Sequence, residues 1–277
     1  MLNLCKHIVS IPVELYKNRR LIARLSYNDF KTRFAGSFFG IFWAFVQPVV
    51  TVMLFWFVFG RVFGAERQAM AGGADVPFVL FLVSGLVPWF FFSEALNSGT
   101  NALLGYSYLV KKVVFKISIL PIVKVISSLF VHVFFIVVIL LLYLGMGYFP
   151  GLYVLQLIYY SMGLFLFVLA LSYFTCSIVV FFKDLREVIN IILTVGIWMT
   201  PILWNLDTLT TNPNAILFFN LNPVYYVVSG YRNSLISHMG FWERPLLSIY
   251  FWSIVAIIGI MGLLTFRRLR VHFADVL

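Results

Sequence analysis

The chain has 277 residues, of which 62% are hydrophobic and 11% charged, and its formal net charge is +10. Soluble domains carry about 25% charged residues, so this composition excludes a water-soluble globule and indicates a protein embedded in a bilayer. Cys5 and Cys176 are its two cysteines, and neither has a metal-ligating neighbour in the sequence, so neither a disulfide framework nor a cysteine metal site is expected.

The first predicted element is an amphipathic helix within residues 11–34, where apolar side chains are mixed with basic ones. Such a helix lies at the level of the lipid headgroups. A passive membrane anchor is the alternative to a functional role. The N-terminus is too charged, and the first apolar run too long and too far from Met1, for a cleavable signal peptide, so we expect the mature chain to begin near residue 1.

Hydropathy predicts six membrane spans, because about 20 mostly apolar residues cross a hydrocarbon core of about 30 Å. The predicted spans are residues 38–60, 76–96, 117–144, 152–182, 188–204 and 245–266, the fifth of them slightly short. Between the last two spans, residues 215–219 and 224–236 are apolar pieces interrupted by Asn-Pro pairs, and neither can cross alone. We therefore predict an all-α membrane protein with a re-entrant periplasmic hairpin between helices five and six.

The basic residues orient these spans. With a cytoplasmic N-terminus, 16 Lys and Arg residues lie inside and 4 outside, the outer ones being Arg61, Arg67, Arg232 and Arg244. The positive-inside rule then places both termini in the cytoplasm. The net charge reflects this rule and contact with anionic lipid, whereas nucleic-acid binding explains such dispersed charges poorly. Residues 1–277 are predicted to form one transmembrane domain, with 1–37 as the cytoplasmic and interface part, the spans within 38–266 and a cytoplasmic tail at 267–277.

The sequence shows no nucleotide-binding motif and few ionisable residues within its predicted spans. No Gly-x-x-x-x-Gly-Lys-Ser/Thr occurs, so any ATP must be handled by another polypeptide. The intramembrane ionisable candidates are Glu94, Lys124 and His132. The first two are expected near cytoplasmic helix ends, and His132 has either a direct transport role or an interhelical hydrogen bond. An intramembrane enzyme is disfavoured because no catalytic carboxylate pair and no His-Glu-x-x-His is visible.

Several ordered motifs carry a resemblance to a known family. They are the segment 25–48, Pro-Trp-Phe-Phe-Phe-Ser at 88–93, Phe-Lys-Asp-Leu-Arg-Glu-Val at 182–188, Thr-Pro-Ile at 200–202, Leu-Asn-Pro at 221–223 and the basic segment 266–275. In this order and spacing the chain resembles ABC-2 type export permeases. Within that family it is most similar to the membrane subunits that export O-antigen polysaccharide, and capsule and teichoic-acid exporters are close relatives.

The resemblance implies a homodimer with a channel between its copies, docked to two copies of a nucleotide-binding subunit that holds ATP and Mg²⁺. It implies export of an undecaprenyl-diphosphate-linked glycan from cytoplasm to periplasm across the bacterial inner membrane. On this chain it implies no catalytic, cofactor or metal site. Arg24, Lys31 and Arg33 would shape the substrate entrance, where basic side chains meet a pyrophosphate. A stand-alone carrier or channel and an intramembrane glycan-modifying enzyme are the alternatives from other classes.

Residues 103–116 contain the basic and aromatic side chains Tyr106, Tyr108, Lys111, Lys112 and Lys116. On the residues alone, this segment is a positive-inside loop with a polar-aromatic face. The resemblance instead makes it the coupling helix seated in a cleft of the ATPase subunit. The charged turn at 183–187 is a second possible contact, and a solvated loop explains it equally well.

Aromatic residues make up 19% of the chain, and several lie along one face of the first span. The predicted channel-lining aromatics are Phe55, Trp56, Phe59, Phe78, Phe81, Trp198 and Trp204. Their ring faces can stack on sugar C–H faces without directional hydrogen bonds, which would let a glycan slide. Helix packing, or anchoring of Trp and Tyr at the membrane interface, is the competing explanation.

Overall fold

The computed structural model describes residues 11–33, 38–69, 75–110, 116–206 and 212–276, and most of these residues are helical. Residues 11–17 are helical and lead into α1. The N-terminal helices are α1 (Arg19–Thr32), α2 (Trp43–Phe55), α3 (Phe78–Thr100), α4 (Ala102–Gly105), α5 (Ser107–Val110) and α6 (Leu120–Gly145). The C-terminal ones are α7 (Gln156–Val179), α8 (Leu185–Met199), α9 (Pro213–Asn220), α10 (Pro223–Arg232), α11 (Pro245–Leu269) and α12 (Phe273–Val276).

Short 3₁₀ and π-helical turns extend several of these helices and so lengthen the apolar helical segments. A 3₁₀ turn precedes α2 and a π-helical stretch, Trp56–Val62, follows it. The described residues contain 5 helical segments long and apolar enough to cross a membrane: Gly40–Val62, Phe78–Thr100, Ile117–Gly145, Gly151–Val179 and Pro245–His272. They agree within a few residues with predicted spans one to four and six.

The fifth predicted span, residues 188–204, forms a shorter helix than expected. Here α8 has 15 residues and ends at Met199, and Thr200 adopts an extended backbone. At 1.5 Å per residue α8 is about 22 Å long, less than the hydrocarbon core of about 30 Å. A sixth crossing therefore stays a prediction.

The Asn-Pro pairs that interrupt the predicted hairpin begin its two helices. The Asn212 side chain accepts a hydrogen bond from the Asn214 backbone at the start of α9, and Asn222 accepts one from Val224 at the start of α10. In each helix proline occupies the first turn, where no backbone N–H is needed. A π-helical stretch, Asn233–Ser237, follows α10. Both helices are short, and the re-entrant path itself stays a prediction.

A two-stranded antiparallel ladder lies between the first span and α3, although an all-α chain was predicted. Its strands are β1 (Arg67–Ala69) and β2 (Asp75–Pro77), with Gln68 opposite Val76. The Arg67 side chain forms an ion pair with Asp75 and also donates to the Asp75 carbonyl at 2.8 Å. Three-residue strands are too short to give a periodic sequence signal, which is why hydropathy placed Val76 and Pro77 in a helix.

The helix α3 forms the centre of the bundle and packs against α6, α7 and α10. In the most apolar 18-residue stretch of α3, 78% of the residues are buried, whereas none is buried in the corresponding stretch of Gly40–Val62. The first span is thus attached to the bundle along one side, through partly buried residues such as Phe45 and Val52, and its other side is exposed in the protomer.

The helices α7 and α11 form the most extensive helix pair and approach closely at Gly262. A Cβ added to Gly262 would lie 2.7 Å from the carbonyl oxygen of Ala170 and 3.1 Å from the backbone nitrogen of Phe174. Backbone atoms cannot move aside as a flexible side chain can. By contrast, a Cβ at Gly259, on the same helix, would make an ordinary 3.8 Å contact with the Ala170 Cβ.

We expect Gly262→Ala to lower the free energy of unfolding by about 1 to 3 kcal/mol, because the methyl group overpacks the α7–α11 contact. Gly259→Ala is the matched control and should be neutral or slightly stabilising, since it replaces a helical glycine without a clash. Thermal unfolding of both variants in the same detergent measures the difference. Equal melting temperatures for the two would contradict the close packing described above.

Candidate functional site

A network of charged and polar side chains ties α1 to the rest of the bundle. The helix α1 packs on α6 through a buried face that includes Asp29, whose side chain is 6% exposed. Lys124 donates to Asp29 Oδ1 at 2.5 Å, and the Tyr106 hydroxyl donates to the same oxygen at 2.7 Å. Asp29 thereby joins α1, α6 and the segment 102–110, three regions that are far apart in the sequence.

The protonation of this network follows from its contacts. Burial alone would raise the pKa of Asp29, but hydrogen bonds from Lys124 and Tyr106 hold that pKa below its ordinary value of 3.8. Burial and the hydrogen bond to Asp29 raise the pKa of Tyr106. Asp29 is therefore an anion at neutral pH, and Tyr106 is a neutral donor to it.

A second ion pair lies beside the first. Arg33 Nη1 donates to Glu94 Oε1 at 2.5 Å, which connects the end of α1 to α3. Arg33 Nη2 lies 3.9 Å from Asp29 Oδ2 and 3.4 Å from the Ser128 hydroxyl. Of the three predicted entrance residues, Arg24 and Lys31 are exposed, whereas Arg33 is engaged within the protein. A phosphate group could meet Arg33 only in competition with Glu94.

A cavity of about 250 Å³ opens between the first span, α3 and α6, with Arg33 and Glu94 among its lining residues. Its uncharged polar side chains include Gln47, Thr51 and Ser128. Its aromatic walls are formed by Trp43, Phe90, Phe91 and Phe135. Because its two opposite charges are paired with each other, the cavity suits uncharged polar groups better than anions.

The imidazole of His132 also lines this cavity, and its ring makes interhelical contacts. Its Nε2 lies 3.0 Å from the Tyr231 hydroxyl and 3.3 Å from the Ser161 hydroxyl. The ring stacks on Phe91 with the centroids 4.6 Å apart. His132 is 2% exposed and makes the interhelical hydrogen bonds that were one of its two predicted roles, connecting α6 to α7 and α10.

The structure brings five of the seven predicted channel aromatics into one continuous path. The Trp198 ring lies 6.3 Å from Phe55, Phe55 lies 6.3 Å from Phe59, and Phe59 lies 6.1 Å from Phe78 (centroid distances). The path ends at Phe81, 6.1 Å from Phe78. Phe78 and Phe81 are buried inside the protomer, so in this conformation Trp198 and the partly buried Phe55 and Phe59 are the members with surface to present.

Two of the predicted aromatics lie beside this path. Trp56 is 39% exposed, and the Arg61 guanidinium lies 5.7 Å from its ring centre. Trp204 packs edge-on against Phe219 and donates its indole N–H to the Trp198 carbonyl at 3.1 Å. This hydrogen bond links the position of Trp204 to that of Trp198. A channel-lining role for any of the seven stays a prediction.

The predicted ATPase-facing residues are divided by the structure. Tyr108 is 60% exposed. Lys116 is also exposed and lies 3.9 Å from Glu14. Tyr106 is half-buried and directs its hydroxyl to Asp29, so it points into the bundle. Lys111 and Lys112 lie outside the described residues.

One residue with a central position was not singled out from the sequence. Arg232 was grouped with the outer basic residues, yet it is 3% exposed and packs against α3 and the segment after α8. The sequence signal was available, since an arginine within the apolar stretch 224–236 needs a partner in the protein. Its contacts are described below.

The chain is similar to known proteins over nearly its whole length. The profile of a family described as ABC-2 type transporter matches residues 20–236. The O-antigen export system permease protein RfbA of Myxococcus xanthus is 29% identical over 261 residues, which cover 94% of this chain and 97% of that protein. The protein of the same name from Klebsiella pneumoniae is 24% identical over 259 residues, covering 93% of this chain and 95% of that protein.

We expect Asp29→Asn to lower the free energy of unfolding by about 2 to 3 kcal/mol at neutral pH, because Lys124 loses its buried counter-charge. The folded pKa of Asp29 lies below 3.8, so its contribution is present above that pH and is lost as the pH falls through the folded value. Thermal unfolding between pH 7 and pH 2 should therefore show a gap between parent and variant that closes in acid. The exposed Asp275→Asn is the control, and a gap independent of pH would contradict the assignment.

Proposed function

Because this chain belongs to the ABC-2 type transporter family, we propose that it is the membrane-spanning subunit of an ATP-driven exporter of O-antigen polysaccharide. One observation carries the proposal: the similarity to the Myxococcus xanthus O-antigen export permease covers 94% of this chain and 97% of that protein. The match therefore includes the polar network around Asp29, the aromatic path and the segments after α8. The exported polymer is undecaprenyl-diphosphate-linked and passes from cytoplasm to periplasm.

Hydrolysis of ATP takes place on a separate nucleotide-binding subunit, which holds ATP and Mg²⁺. Support comes from the sequence, which has no phosphate-binding Gly-x-x-x-x-Gly-Lys-Ser/Thr loop. The segment 103–116 is the docking site for that subunit. Exposed Tyr108 and Lys116 provide contacts there, and Tyr106 passes movement of the segment to Asp29 on α1.

The working exporter contains two copies of this chain and two copies of the ATPase subunit, with the channel between the two membrane subunits. The uncovered first span supports this proposal, because none of its most apolar window is buried within one protomer. Phe55 and Phe59 belong to that span and would face the channel. The distribution of Lys and Arg supports insertion in the bacterial inner membrane with both termini in the cytoplasm.

The function is tested in a strain that lacks this chain. We expect lipid-linked polysaccharide to accumulate on the cytoplasmic side and surface glycan to disappear. Expression of this chain with its ATPase subunit should restore both, whereas the same chain with an ATPase unable to hydrolyse ATP should not. Restored export with the inactive ATPase would contradict the proposal and favour a stand-alone carrier. Normal surface O-antigen in the deletion strain would exclude this polymer as the substrate.

The aromatic path is tested by replacing Phe55, Phe59 and Trp198 together with alanine. We expect the outer part of the pore to widen, so that small-solute permeability rises and surface glycan falls. The control replaces Phe149 and Trp242, a phenylalanine and a tryptophan that are exposed on other segments of the chain. Solute leak and surface glycan are measured in the same cells at equal membrane abundance. An abundant path variant with parental leak and export would show that these rings only pack or anchor helices.

A further inference from the structure

Arg232 ends α10 and is almost completely buried, with 3% of its surface exposed. Its guanidinium donates two hydrogen bonds to neighbouring backbone carbonyls beyond the end of α8. Nη1 lies 2.6 Å from the Pro201 oxygen and Nη2 lies 2.7 Å from the Ile202 oxygen. The planar fork of arginine matches two adjacent acceptors in a way that a lysine ammonium cannot.

The end of α8 creates the need for these bonds. Thr200 leaves the helix in an extended conformation, so Pro201 and Ile202 lie outside the hydrogen-bond pattern of α8. At membrane depth no water replaces the missing partners, and an unsatisfied carbonyl costs several kcal/mol. A cation at this position also faces the negative end of the α8 dipole. Arg232 therefore satisfies the backbone at the break in the helix.

The helix α3 is shaped to receive the guanidinium. The Arg232 Cζ lies 3.6 Å from the centre of the Phe81 ring, a cation–π contact. One turn further, Gly85 leaves room for the side chain. A Cβ at Gly85 would lie 2.9 Å from Arg232 Nη2 and 3.2 Å from Ile202 Cγ2.

A second contact joins the same two segments. Asn222, which caps the start of α10, donates from Nδ2 to the Thr200 hydroxyl at 2.9 Å. The helix α10 therefore holds residues 200–202 through its first turn and through its last residue. The position of Trp198 follows, because Trp204 lies in the attached segment and donates to the Trp198 carbonyl.

We propose that Arg232 is a positioning residue that fastens the end of α8 to α10, so that residues 198–206 and α10 move as one unit at the outer end of the aromatic path. The statement that this end faces the periplasm rests on the exporter function and orientation proposed above. The fastening itself rests on the contacts described here. Export would open this end by displacing the whole unit against α3, with the bend at Thr200–Ile202 kept intact.

The test follows the reactivity of one cysteine. In a background with Cys5→Ser and Cys176→Ala, Ile202→Cys places a buried thiol on the fastened segment, and Arg232 still bonds the backbone carbonyl there. An impermeant maleimide applied from the periplasmic side reports how often the segment opens. We expect Arg232→Met to raise the labelling rate about tenfold, because losing charged hydrogen bonds shifts a local opening equilibrium by at least that factor.

Two further substitutions test the geometry. Arg232→Lys keeps the charge without the fork and should label at an intermediate rate. Gly85→Ala leaves Arg232 in place but pushes its guanidinium away, so it should also raise labelling. The matched controls are Gly259→Ala, which makes an ordinary contact, and the exposed Arg244→Met. Both controls should label at the parental rate.

The native Cys176, retained in a parallel set without Ile202→Cys, is buried elsewhere in the bundle and reports on global unfolding. Its reactivity toward a permeant maleimide should be unchanged in every variant. If the folded Arg232→Met variant labels at Ile202→Cys no faster than the parent, the proposal is overturned. If Arg232→Met does not reach the membrane, the labelling rate of Gly85→Ala provides the same test. Since labelling does not depend on the polymer, faster labelling upholds the fastening whatever the polymer is, whereas normal surface O-antigen in the deletion strain contradicts the proposed function separately.

Discussion

Backbone hydrogen bonding at helix ends is the constraint on which the rest of this structure depends. A helix satisfies the N–H and C=O groups of its interior, but its first N–H groups and its last C=O groups have no partner within the helix. Here α8 ends after 15 residues and two short helices follow it. The breaks are satisfied by side chains from the protein itself: the amides of Asn212 and Asn222 at helix starts, and the guanidinium of Arg232 beyond a helix end. The positions of Trp198 and Trp204 follow from these bonds.

The two ends of the bundle use charge differently. At the end that contains α1, Asp29 and Glu94 are each paired with a cation, and the pairs connect α1, α3, α6 and the segment 102–110. Such pairs can exchange partners when a neighbouring segment moves. Near the end of α8, a cation is held by carbonyls and an aromatic ring. Carbonyls belong to the backbone, so this second arrangement can change only if the chain path changes with it.

The sequence predicted those features that depend on local composition. Apolar length alone gave the spans seen as Phe78–Thr100 and Ile117–Gly145. The Asn-Pro pairs, which interrupt the apolar pieces in the sequence, are the starts of α9 and α10 in the structure. The sequence did not predict contacts between residues that are far apart in the chain. Arg33 and Glu94 are 61 residues apart in the chain, and nothing in their local sequence distinguishes an ion pair from two solvated ends. Hydropathy likewise could not separate buried Phe78 and Phe81 from exposed Trp198, because burial depends on which helices pack there.

The packing of α3 against α10 also bears on how the chain is made. The ribosome delivers α3 early, but Arg232, which covers Phe81 and lies with Ile202 in the space at Gly85, emerges near the end of synthesis. Until those residues are made, α3 lacks the side chain that covers Phe81. Larger proteins fold through such incomplete intermediates, and exposed unfinished surfaces attract quality control. A chain truncated before residue 223 would leave this part of α3 uncovered, and that surface would distinguish an unfinished subunit from a complete one.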